Sequence, residues 1–386
     1  MRTTKTRIGF TSAALGLVLG LGVPASAAHL TAPALCGVWR VVPSPSPGTQ
    51  AYLFGVSGAT QSDVHAVGNA YSVPSYPSLI ERWTGRAWRT DPHPNPGNDS
   101  DTLRAVDART AADVWAVGDW ADFNGAPETQ PLIEHWNGSR WARMVSLIGG
   151  PTANPLYGVT AIAADDAWAV GQKYDFDDHF GYTLGLHWDG STWTPVSTPI
   201  VSGSSQNTLY AVAAVSASDV WAVGSYTDDQ TGTTHPLTEH WDGLAWSIVT
   251  PEDSGTGNVL FSVSVVGPDD VWAVGTTGAS QGSALAEHWD GTSWTIVPTP
   301  PVPGATVSYF RGVRAVSSTD VWAVGLHDPY PYSALIEHWD GTSWSLVDSP
   351  GAGQLQSVTS VGDGHLWAVG NTNEGTTLIE GDRECR

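Results

Sequence analysis

The sequence predicts an all-β fold: a seven-bladed β-propeller of four-stranded antiparallel blades, spanning residues 36–385, with the last blade completed by the N-terminal strand. Three observations predict it. A block of the type Asp-Val-Trp-Ala-Val-Gly occurs seven times, centred on His65, Trp115, Trp168, Trp221, Trp272, Trp322 and Trp367, at spacings of 45 to 53 residues. A second block, best read as Leu-Ile-Glu-His-Trp-Asp-Gly-Thr-Ser-Trp, follows each of the first six copies. The seventh unit stops short of a fourth strand, and Trp39-Arg40-Val41-Val42 near the N-terminus matches the fourth strand Trp344-Ser345-Leu346-Val347. Four short strands repeated at such a period cannot bury their apolar faces singly, so the units must pack side by side, and a ring that borrows its first strand closes without a free edge.

Each unit reads as four strands in order. The first is like Leu209–Val215, the second like Asp219–Gly224, the third like Leu335–Trp339 and the fourth like Ser343–Val347. Alternation along the third strand puts Leu335, Glu337 and Trp339 on one face and Ile336 and His338 on the other. The link to the fourth strand carries Asp-Gly at 189–190, 242–243, 290–291 and 340–341, and Asn137-Gly138 in the second unit. These dipeptides tolerate the positive φ of a tight hairpin. No helical period follows the N-terminal region.

A residue that recurs in every unit solves a problem every unit has. The repeated tryptophans among the 20 in the chain are therefore read as packing between blades and across hairpins. The recurrent pairs Glu134-His135, Glu239-His240, Glu287-His288 and Glu337-His338 suggest acid–base or metal chemistry at first sight. Adjacent strand residues face opposite sides of a sheet, and each pair sits in a separate blade, so they are read as satisfied hydrogen bonds at blade edges.

Residues 1–27 read as a signal peptide: Arg2, Lys5 and Arg7, the apolar stretch Ile8–Val23, and Ala25-Ser26-Ala27 as the cleavage site. A secreted, extracellular product without membrane insertion is expected. The leader holds three of the 16 basic residues and none of the 38 acidic ones. What remains is strongly acidic and should repel nucleic acid and anionic lipid, whose binding needs a basic patch. The two cysteines, Cys36 and Cys385, fall at the same turn of the split blade, and an oxidising compartment favours a disulfide between them. A monomer is expected.

The Trp-Asp-Gly-Thr-Ser-Trp block resembles the Asp-box of sialidases and related propellers, although here Asp and Gly are adjacent rather than separated by one residue. The region 36–385 is similar to the kelch and galactose-oxidase-like propeller superfamily and to secreted bacterial proteins with Asp-Val-Trp-Ala-Val-Gly repeats. The resemblance implies the architecture. A galactose-oxidase-like activity implies copper and a cysteine joined to tyrosine, but both cysteines here are assigned to ring closure. A sialidase-like activity implies three convergent arginines. Arg104, Arg311 and Arg314 lie on first strands, with Arg311 and Arg314 expected on opposite faces by alternation.

Function is expected on the face that carries the second-to-third and fourth-to-first links, which vary while the other links are short and alike. The default pocket is the mouth of the central channel on that face. Candidate ligand-binding residues there are Asp119, Trp120 and Asp122, then Tyr174, Asp175, Asp177, Asp178, His179 and Tyr182, then Tyr226 and Asp228, and finally His327 and Tyr330. Aromatic rings beside carboxylates suit a sugar, with its apolar face on a ring and its hydroxyls on acceptors. No cofactor is expected. Calcium is the one ion that Asp175, Asp177 and Asp178 suggest, although no full calcium-loop spacing occurs. The sequence thus points to a non-catalytic propeller that binds an extracellular glycan or protein. The alternatives are a carbohydrate-active enzyme with carboxylates at the channel mouth and an envelope or matrix component with no small ligand.

Overall fold

The computed structural model describes residues 38–382 except 74, 98, 123–125, 149–151, 256, 279–281 and 363, and leaves the side chains of 126–128 undescribed. The proposed signal peptide, Cys36 and Cys385 lie outside the described residues.

Seven four-stranded antiparallel units follow one another. The first comprises Gln50–Thr60, Asp63–Tyr71, Ser78–Trp83 and Trp88–Thr90, paired in sequence order. The next five repeat this order, the third with an added two-residue strand, Thr152–Ala153, against its second strand, and a short parallel bridge, Gly181 to Gln206, joins the third and fourth into one continuous sheet. The seventh has Gly353–Val361, His365–Thr372 and Thr377–Asp382, and its outer strand is Trp39–Val41 from the other end of the chain. Trp39 pairs with Asp382, Arg40 with Gly381 and Val41 with Glu380. The N-terminal strand therefore closes the ring.

The tryptophans hold neighbouring blades together. Trp168 in the third blade meets Trp241 at 4.9 Å and stands edge-on to Trp246 at 5.2 Å, both in the fourth. The same clamp recurs for Trp115, Trp221, Trp272 and Trp367, with His65 taking the position in the first blade. The two tryptophans that bound each tight hairpin pack against each other, as Trp241 and Trp246 do at 6.0 Å. The indole N–H of the first donates to the carbonyl of the neighbouring turn, for example Trp241 to Ala217 at 3.2 Å. That bond places the two short, uniform links at one end of the blade.

The Glu-His pairs divide. Each histidine bonds to an aspartate that opens the second strand, as His240 Nε2 does to Asp219 at 2.8 Å, and packs on the repeated tryptophan, as on Trp221 at 4.4 Å. The glutamates behave otherwise. Glu81, Glu134, Glu239, Glu287, Glu337 and Glu380 are fully buried. Glu380 accepts from Ser349 and the Gly351 amide, and Glu287 from the Glu252 amide, each on the link arriving from the preceding blade. Neither carboxyl oxygen of Glu134 or Glu337 has a hydrogen-bond partner among the described residues. The expectation of a satisfied edge bond thus holds for the histidines and fails for these two glutamates. Burial pushes Glu134, Glu239 and Glu337 up to about 8, where the neutral acid needs no counter-charge.

Candidate functional site

Every innermost strand carries one extra residue at the same place. The register with the second strand shifts between Leu53 and Gly55, Leu103 and Ala105, Leu156 and Gly158, Leu209 and Ala211, Leu260 and Ser262, Phe310 and Gly312, and Leu355 and Ser357. The inserted residues are Phe54, Arg104, Tyr157, Tyr210, Phe261, Arg311 and Gln356. A bulge turns one side chain out of the alternating pattern. All seven line the central channel, a cavity of about 380 Å³ bounded by the innermost strand of each blade.

Five consecutive members of this ring touch one another. Arg104 lies over the Tyr157 ring at 5.3 Å, Tyr157 meets Tyr210 at 5.6 Å, Tyr210 meets Phe261 at 5.6 Å, and Arg311 lies over Phe261 at 4.3 Å. Three aromatic rings thus form a continuous arc with a guanidinium at each end. Three residues further along the strands, Asp107 and Arg314 also line the channel. Asp107 accepts from the Ala161 amide at 2.8 Å and from Ser57 at 3.2 Å, and Arg314 donates to Ser360 at 2.9 Å. Burial raises the Asp107 carboxyl, opposed by these bonds and by Arg314.

Alternation had put Arg311 and Arg314 on opposite faces. The bulge overturns that: Phe310, Val313 and Ala315 turn into the core, while Arg311 and Arg314 both line the channel. The three arginines named from the sequence therefore share one cavity. They are not equivalent. Arg104 donates to Asp119 at 2.5 Å, and Arg314 interacts with Asp107. Arg311 has no hydrogen bond or ion pair with a described residue, and its Nε is buried without a partner.

Above the aromatic arc, on the face of the variable links, a cleft of about 500 Å³ opens between the third, fourth and fifth blades. Tyr157, Tyr210 and Phe261 line it together with Gln172, Gln206, Thr208, Ser225, Thr227 and Thr234. Among the described residues lining it, none is charged. Gln172 is held by its own bonds to Thr208 at 2.8 Å and the Asn207 carbonyl at 3.2 Å. Channel and cleft share the three rings and are one site.

The loop residues singled out from the sequence sit on the same face but line neither cavity. Asp119 reaches the site indirectly, through Arg104. Trp120 packs into the core with the Arg143 guanidinium over its ring at 4.7 Å, and Asp122 lies opposite Ala126 at the end of its strand. In the third blade the carboxylates serve their own turn. Asp175 accepts from the Asp177 amide, and Asp178 from the Phe180 amide at 2.9 Å and the Tyr182 hydroxyl at 2.6 Å. His179 takes the left-handed conformation there, and Tyr174 stands edge-on to Phe176. Tyr226 stacks on His235, Asp228 caps the amides of Gln230 and Thr231, His327 bonds to the Asp328 carbonyl, and Tyr330 is exposed against Tyr332. The four loops do not bring these side chains into one pocket. Among the described residues, no group of three or more His, Cys, Asp or Glu is placed to hold a metal ion.

The signal for the ring was in the repeats. Aligned on the buried leucine or phenylalanine of each innermost strand, the next column is large and variable, and the column after it is always Gly, Ala or Ser.

No protein-family model matches the chain, and no curated protein matches it. Solved structures do. The chain is similar to YCF48 bound to D1 peptide, at 12% identity and a TM-score of 0.54, over 90% of this chain and 97% of that one. It is similar to the WD40 β-propeller domain of Doa1, at 10% identity and a TM-score of 0.56, over 90% and 97%. It is also similar to a polysaccharide lyase, the PL25 ulvan lyase, at 10% identity and a TM-score of 0.55, over 88% and 95%. At such identities the likeness shows the propeller fold alone.

Proposed function

We propose that this chain is a non-catalytic, extracellular binding propeller that recognises a glycan through the mouth of its central channel. The observation that carries the reading is the cleft over Tyr157, Tyr210 and Phe261. Sugars present an apolar face of C–H groups, which packs on aromatic rings, and hydroxyls at the edge, which pair with amides and alcohols. The cleft supplies both in the right order, rings below and Gln172, Gln206, Thr208 and Ser225 around them. It is lined by well-paired strands rather than by loops, so little ordering entropy opposes binding. Among the structural neighbours, one is described with a bound peptide and one is a polysaccharide lyase, so similar scaffolds serve both kinds of partner. The neutral, hydroxyl-rich wall favours the saccharide here. The loop residues from Asp119 to Tyr330 stand as an outer rim for a longer ligand.

The test is an oligosaccharide array with the mature protein, followed by calorimetry on the best ligand. Tyr210→Ala should weaken binding by at least about fivefold, since removing a stacking ring from a central site costs above about 1 kcal/mol. Turnover of any bound saccharide would overturn the non-catalytic reading. Binding that survives loss of Tyr210 would move the site elsewhere.

A further inference from the structure

The chain carries 38 acidic and 16 basic residues, yet among the described residues the charged side chains lining its channel are three arginines and one aspartate. The sign of charge is inverted where the site lies. Arg104 is neutralised by Asp119 at 2.5 Å, and Arg314 and Asp107 offset one another. Arg311 is left over. Its guanidinium is half-buried, lies 4.3 Å over Phe261 and 5.8 Å from the Tyr309 ring, and has no carboxylate or hydrogen-bond acceptor among the described residues. Stacking on rings holds the group in place without answering its charge. Its Nε is cut off from water with no acceptor, which is costly for a charged group, while the rest of the guanidinium stays open to a ligand in the channel. Burial indeed pulls the Arg311 side chain below its usual basicity, with the Tyr309 and Tyr210 phenols the polar groups that oppose the shift.

We infer that Arg311 is the anchor for an anionic group on the ligand, and that the site takes an acidic saccharide carrying a carboxylate. The inference rests on the glycan reading above and narrows its ligand class. The geometry favours a carboxylate on a sugar ring. Phe261 and Tyr210 lie in the cleft that receives the ring, and Arg311 adjoins Phe261 at the end of the arc, so one monosaccharide can stack and present its acid to the guanidinium. A planar carboxylate matches the guanidinium fork with two parallel bonds. The surrounding shell limits the ligand further. A molecule with net charge −22 repels a densely charged polymer wherever the polymer's other charges come within roughly 8 Å of its acidic surface, the screening length at physiological salt. The site therefore suits sparse acidic residues or a chain end rather than a continuous polyanion.

The experiment compares a glucuronate-containing oligosaccharide, its carboxyl-reduced glucose counterpart and a peptide with a free C-terminal carboxylate, by calorimetry on the mature protein. The acidic sugar should bind at least about tenfold more tightly than its reduced counterpart. Arg311→Gln should abolish that difference by weakening the acidic sugar far more than the neutral one. Arg311→Lys, which keeps the charge and loses the fork, should restore only part of it. Thermal melting of each variant establishes that it is folded. Equal binding of acidic and neutral sugars, unchanged in Arg311→Gln, would overturn the anchor and leave the glycan reading standing. Failure of both sugars to bind, or tighter binding of the peptide, would overturn the two together.

Discussion

Gly224 faces the backbone of Thr208 so closely that a Cβ on it would fall 1.8 Å from the Thr208 carbonyl oxygen. The last glycine of every Asp-Val-Trp-Ala-Val-Gly block stands in the same relation to the innermost strand, at 1.8 to 2.0 Å. The contact comes just before the inserted residue, here Tyr210. The repeated glycine thus makes room for the bulge, and the bulge turns the ring of site residues towards the channel. Gly224→Ala is expected to destabilise the protein by about 3 kcal/mol, because a backbone carbonyl cannot swing aside as a side chain can. Urea unfolding measures the loss. Gly232→Ala, at a loop glycine whose Cβ would meet nothing within 4 Å, is the comparison, although its φ of 69° carries some strain of its own.

Ring closure depends on three residues at the N-terminal edge. Trp39 is 2% exposed, packs in one cluster with Leu366 and Leu378, and stands edge-on to Trp322 at 5.8 Å. Trp39→Ala should cost about 3–5 kcal/mol, the range for deleting a large buried ring. Arg40→Ala, on the exposed side of the same strand, should change stability by less than about 0.5 kcal/mol. Equal effects at both positions would mean that the first strand is not sealing the last blade.

The pairing of Trp39 with Asp382 brings the two ends of the described chain together. Cys36 and Cys385 lie three residues further along each end. A disulfide between them is expected in secreted material. Peptide mapping under non-reducing conditions should find one cross-linked species that separates on reduction. Reduction should lower the unfolding midpoint, with roughly 4–5 kcal/mol as the chain-entropy limit for so long a loop.

The buried glutamates give a sign for pH dependence. Glu337 is pushed up to about 8 by burial, so the folded state holds its proton where the unfolded chain has released it. Stability from this group is complete below about 4.5 and declines as pH rises towards 8. Glu134, Glu239 and Glu287 act in the same direction. At the acid end, Asp189, Asp290 and Asp340 are held down to about 2 by hydrogen bonds from the side chains and amides of their turns, and their contribution fades as pH falls towards that value. The urea midpoint should therefore peak near pH 5 and fall towards pH 8.5. Glu337→Gln should raise stability at pH 8 and flatten the slope. A midpoint that climbs steadily from pH 5 to 8.5 would contradict the buried neutral acids.

Sequence alone determined the blades, their number and the way the circle closes. Such features are written in periodicity: Trp168, Trp221 and Trp272 recur because each blade must cover the next, and Trp39 matches Trp344 because one strand must be lent. The site was legible only in part. Arg104, Arg311 and Arg314 were visible as residues of the innermost strands, but strict alternation sent Arg311 and Arg314 apart, since counting by twos has no place for an inserted residue. The loop acids Asp175, Asp178 and Asp228 drew attention by composition, and the fold spent their oxygens on local turn amides. Tertiary structure decided which side chains share a cavity, because only the assembled ring sets Tyr157, Tyr210 and Phe261 edge to edge and leaves Arg311 beside them with its charge unanswered.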